Sequence, residues 1–102
     1  MTETILGTMR VPAVGGVGRR LVHVSEIGPE SYSAGGFEVT VTSLTKVDHV
    51  IAEATDSTGT YLAVTSVSGN VVTIQAFSAL GTEVVDTTDI HTSTFKFFAV
   101  GR

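Results

Sequence analysis

Cysteine and tryptophan are absent from the 102 residues, and proline occurs only twice. Without thiols there is no disulfide framework, no thiolate metal site and no cysteine nucleophile. Few prolines beside eleven glycines fit many short turns rather than a low-complexity chain. No apolar run approaches the roughly 18 residues that a membrane helix requires, so no membrane partner is expected. The opening residues 1–7 lack the basic stretch and long apolar segment of a signal peptide, so a protein made and kept in a cytoplasm, or released by lysis, is expected. Charged residues make up 16% of the chain and the net charge is −4, which speaks against general nucleic-acid binding.

What the chain has in quantity is valine and threonine, 16 of each. Both are stiff at χ1 and suit strands better than helices, so an all-β domain is expected. Tyr61–Phe77 carries the strongest signal: two β-rich runs flank Gly69-Asn70, residues that tolerate the positive φ of a tight hairpin turn. In the second run Val72, Ile74 and Ala76 share one face, and Val71, Thr73, Gln75 and Phe77 the other. Phe37–Thr42 alternates cleanly and should turn Phe37, Val39 and Val41 inward. Arg19–Ile27 also alternates. Val47–Ala54 has apolar residues at 47, 50, 51 and 54, a helical spacing, but the surrounding strand density favours a strand with Val50, Ala52 and Ala54 on one face. Thr94–Val100 reads as a last strand, with a short strand around Glu83–Val85 before it. Gly28–Gly36 and Asp86–Ser93 read as loops. The expected fold is a small β-sandwich or β-barrel of six to seven mostly antiparallel strands over residues 19–102, with an extended N-terminal arm over residues 1–18.

The arm combines Ile5, Leu6, Met9, Val11, Val14 and Val17 with five glycines or prolines. It either packs on its own body, with Ile5–Val11 as a first strand, or reaches a neighbouring subunit by strand addition or by burying Ile5, Leu6 and Met9 in a groove. Residues 1–20 carry Arg10, Arg19 and Arg20 against Glu3, a balance of +2. Residues 21–102 carry three cations against nine acids, a balance of −6. Ile5, Leu6, Met9, Arg10, Arg19 and Arg20 are therefore the candidate partner-binding residues.

Chemistry-bearing patterns are sparse. His23, His49 and His91 are too widely spaced for a local metal clamp. Asp86, Asp89 and His91 place acids near a possible base, but among threonines and serines that form ordinary turns. Gly15-Gly16-Val17-Gly18-Arg19-Arg20 lacks the Gly-Lys-Ser/Thr ending of a phosphate loop. Phe95-Lys96-Phe97-Phe98 mixes aromatics with a single lysine in an acidic body, which fits packing better than single-stranded nucleic acid. No catalytic residue, cofactor or metal ion is expected, and no enzymatic activity.

Gly35-Gly36-Phe37-Glu38-Val39-Thr40-Val41, Val47-Asp48-His49-Val50, Val67–Ile74 and the ending Phe98–Arg102 together resemble small virion proteins of tailed bacteriophages, over residues 35–102. That group includes capsid decoration (cement) proteins and small head or tail components. The resemblance implies an all-β module of the virion, assembled in the host cytoplasm, that binds the major capsid protein or another virion protein. It further implies a homo-oligomer, often a trimer, with no active site. Because the group has no fixed binding motif, no binding residue is carried over from it. A tail or head-completion component and a carbohydrate-binding fibre-tip module stand as alternatives, with an Asp/His loop enzyme last.

Overall fold

The computed structural model describes residues 4–11, 19–79 and 81–102, with side chains from residue 19 onward except those of residues 52 and 53. Eight strands follow in order: β1 (Thr4–Val11), β2 (Arg19–Ile27), β3 (Phe37–Thr40), β4 (Val47–Asp56), β5 (Leu62–Ser68), β6 (Val71–Ala79), β7 (Thr82–Glu83) and β8 (Thr94–Gly101). Every pairing is antiparallel. One sheet has the order β1-β2-β8-β4; the other has β3-β6-β5, with β7 sharing the β3 edge of β6. The all-β class expected from the sequence is the one observed. The strands number eight rather than six or seven because Thr4–Val11, within the expected arm, pairs along β2. Residues 1–3 and 12–18, the rest of that arm, lie outside the described residues.

The sequence explains most of this directly. The β5–β6 hairpin turns at Gly69 and Asn70, and only Gly69 takes a positive φ, 61°. That is the φ pattern of a II′ turn, which wants glycine at its first central position. Along β6 Val72, Ile74 and Ala76 are fully buried, while Val71, Thr73, Gln75 and Phe77 are half-buried on the outer face. Phe37, Val39 and Val41 all point inward, as alternation requires.

Strand β4 is less regular. Its pairing with β8 slips between Val47 and His49, between Val50 and Ala52, and between Ala52 and Thr55. Each bulge resets the alternation. Val47 and Ala54 are buried and Val50 packs against the core, whereas Ile51 is exposed. The helix-like spacing of this segment is thus a bulged strand, and Ala52 lies outside the described side chains.

The core lies between the sheets. Val22 and Val24 of β2 and Phe95, Phe97 and Ala99 of β8 face Val39, Val72, Ile74 and Ala76 of the second sheet. Phe37 bridges the layers edge-on, 5.3 Å from Phe95 and 6.4 Å from Tyr32 between ring centroids. Such edge-to-face pairs add stability beyond the area they bury.

Phe97 is 1% exposed and sits in the central strand of its sheet. Phe97→Ala should lower the unfolding free energy by about 3–5 kcal/mol, the range for truncating a buried aromatic. Chemical denaturation measures this, and a loss below about 1 kcal/mol would contradict the packing described.

Candidate functional site

The expected partner-binding residues fall at one edge and one end of the first sheet. β1 is the edge strand, with Ile5 opposite Val24 and Met9 opposite Leu21. Leu6 falls at the register shift between Ile5 and Gly7. Arg10 is directly across from Arg20, and Val11 from Arg19, so three arginine positions meet where β2 begins. The side chains of residues 4–11 lie outside the described ones. Arg19 and Arg20 are exposed, and Arg19 approaches Asp48 at 3.8 Å. Lys46 reaches the same carboxylate at 4.0 Å. Exposed pairs of this kind stabilise weakly.

The three histidines do not converge. His23 stacks on Phe98 at 4.2 Å and 15° on the outer face of the first sheet, and His49 is exposed on β4, opposite Val100 of β8. His91 sits in the loop at the opposite end, where residues 28–36 meet residues 84–93. Among the described residues no group of three or more His, Cys, Asp or Glu is arranged to hold a metal ion.

Asp86, Asp89 and His91 separate into two functions. Asp89 Oδ1 lies 2.5 Å from His91 Nδ1 and accepts the His91 backbone N–H at 3.0 Å. The backbone bond, then the ring bond, hold the Asp89 carboxyl below its usual range, and Asp89 in turn raises the His91 imidazole. Asp86 instead accepts the N–H of Ala34 at 3.0 Å. Asp89 and His91 form an exposed pair, and Asp86 pins a loop. Residues 15–18 lie outside the described residues. In the Phe95–Phe98 run, Phe95 and Phe97 are core while Lys96 and Phe98 face outward, so alternation breaks up any continuous aromatic platform.

The residue that organises this end is Tyr32, which stands within a stretch read from sequence as plain loop. It is 1% exposed. Its hydroxyl donates to Glu83 Oε1 at 2.7 Å and accepts the Ala76 N–H at 3.1 Å. Glu83 Oε1 also accepts the Gly35 N–H at 2.7 Å. Backbone bonds continue the seam: Tyr32 N–H to Thr88 O, Thr87 N–H to Tyr32 O, Ile90 N–H to Pro29 O and Gly28 N–H to Ser93 O. The close approach requires glycine at position 28, where a Cβ would stand 2.3 Å from the Ile90 carbonyl oxygen. A lone aromatic in a Ser/Gly stretch, and Ile90 in a polar one, were the signals available for this seam.

A second constellation closes the β4–β5 corner. Asp56 is buried at the end of β4; it accepts the Thr58 N–H at 3.0 Å, the Thr58 hydroxyl at 2.7 Å and the Tyr61 N–H at 3.3 Å. Burial works against its charge, but the bonds from Thr58, from the Ser93 hydroxyl and from Tyr61 outweigh it and hold the carboxyl below its usual value. The shallow groove beside it, about 440 Å³, is lined mainly by Ala54, Tyr61, Leu62, Ala63 and Val64. The carboxylate is committed to its own turn, which is a structural arrangement rather than a catalytic one.

No family model, no curated protein and no solved structure matches the chain.

Two pH responses follow. Burial first, and then the bond to Glu83, push the Tyr32 hydroxyl up from 10.0 to about 12. The folded chain therefore holds that proton more tightly than the unfolded one. Its contribution is intact below pH 10.0 and is lost as the pH rises towards about 12. Tyr32→Phe should cost about 1–3 kcal/mol at neutral pH and flatten the alkaline fall, read by urea unfolding across that window. Asp56 has the opposite sign: its contribution is present above the ordinary value of 3.8 and is lost as the pH falls below it. Asp56→Asn should flatten the acid limb of the same profile, and an unchanged limb would contradict the assignment.

Proposed function

We propose that this chain is a structural module of a virion, a capsid decoration protein that binds the major capsid protein lattice and stabilises the head as a homo-oligomer, with a trimer as the expected form. The observation that supports this reading most is the character of the surface on a rigid all-β body. Leu62 and Val64 on the outer face of the second sheet, and Ile27 and Ile51 on the first, are large apolar side chains that stay exposed in the single copy. Exposed apolar residues on both sheets suit a module that is covered by neighbours once assembled. The resemblance over residues 35–102 to small virion proteins points to the same setting. A rigid sandwich contributes many modest contacts to a lattice, and oligomerisation adds buried surface to a small domain.

Counting copies per particle separates this reading from a tail or head-completion part. Quantitative mass spectrometry of purified particles should find on the order of hundreds of copies, as a shell-covering protein requires, whereas about a dozen would indicate a ring at a unique vertex. Absence from the particle would overturn the virion reading altogether.

A further inference from the structure

We propose that copies of this chain associate end to end, with the basic end of one seated on the acidic end of the next. The inference deepens the virion reading and rests only on its self-association. Five of the six lysines and arginines stand at one end of the strands. Arg10 and Gly101 flank Arg20, Arg19 lies opposite Val11, and the Thr45 and Lys46 N–H groups both donate to the Arg102 carbonyl. The sixth, Lys96, is opposite Ser25 and Thr55, towards the other end. Asp48 is the acid that pairs with Arg19 and Lys46 there.

The far end has the reverse character. Glu30, Asp86 and Asp89 are exposed on the two loops joined through Gly28–Ser93 and Ile90–Pro29, with Glu83 half-buried behind them. Val85, next to Asp86, is 75% exposed, and Ile27 at the end of β2 is 55% exposed. Exposed apolar side chains thus accompany the acids at this end, the two ingredients of a protein-binding surface with a polar rim. Val67 at the basic end is 39% exposed beside the hairpin turn.

The eight-residue β8 runs between the ends, a separation of about 24 Å at roughly 3.4 Å per residue. A Debye length is about 8 Å at physiological ionic strength, so the two ends cannot neutralise one another within a single copy. A contact between the ends of two copies joins two different patches, so it is head-to-tail: it closes into a ring, a trimer included, where the rotation allows, and otherwise extends as a filament.

The test uses the full, free chain in sedimentation velocity. In about 20 mM NaCl the wild type should sediment as multiples of the chain, and in about 500 mM its dissociation constant should rise at least about tenfold. Two variants isolate the ends: Arg20→Glu/Arg102→Glu and Glu30→Lys/Asp89→Lys, all at exposed positions. Each alone should be monomeric at low salt. Mixed in equal amounts they should form complexes in which the two variants alternate, because the two native ends match one another and the two reversed ends also carry opposite charges. Circular dichroism checks that both variants fold, and the wild-type salt series stands independently of them. A wild type that is monomeric at low salt, association indifferent to salt, variants that assemble alone, or no complex on mixing would each overturn the proposal. Copy number in the particle is unaffected by that result, so the decoration reading can fail or survive separately.

Discussion

The edge-to-face chain from Tyr32 through Phe37 to Phe95 is the contact on which the rest of the structure depends. Its three rings come from a loop, from the second sheet and from the first, so it ties together parts that no backbone ladder connects. Valines and alanines on the inner faces fill the remaining space, but they are short, and the aromatic chain sets the separation at this end. The Tyr32 hydroxyl then extends the same contact into hydrogen bonding. Through Glu83 and the Ala76 N–H it fixes β7 and the loop over residues 28–36 against β6. A ring buried for packing therefore also positions the acidic loops.

Much of the sheet architecture was legible in the residues, because strands with one buried face write their orientation into a period of two. The bounds of β2, the inward set Phe37, Val39 and Val41, and the Gly69-Asn70 turn all followed from local pattern and turn chemistry. What local pattern left open, or hid, depends on distant partners. β1 is broken up by Gly7 and bulges beside it, and it forms a strand because β2 offers its edge. β4 hides its period behind three register shifts. Tyr32, Ile90 and Asp56 are buried in stretches whose composition reads as turn, since burial there is decided by what folds over them and not by their neighbours in the chain.

The candidate site was legible in a different sense. A basic leader and an acidic body could be counted from the sequence, but an imbalance along the chain is not yet a position in space. Antiparallel pairing converts one into the other. It brings Arg102 back beside Arg19 and Arg20, and it gathers Glu30, Asp86 and Asp89 at the far end, although these residues are scattered in sequence. Asp86 and Asp89, side by side in one loop, hold different partners, a distinction that spacing alone does not carry. The histidines show the converse: three residues that sequence allowed to meet are kept apart by the central strand and by the length of the sheet.

The position of β8 governs the order in which this molecule can be made. It lies between β2 and β4 and forms the middle of the first sheet, yet it is the last of the strands to leave a ribosome. The β5–β6 hairpin needs only neighbouring residues and can form early, whereas β2 must wait until some seventy further residues have been synthesised before its main partner exists. During that interval β2 and β4 both present open edges beside unfilled apolar faces. A nascent chain is therefore most prone to aggregation just before β8 is added, and a chain cut short ahead of Thr94 would leave β4 unpaired in the first sheet and β1–β2 as a bare hairpin.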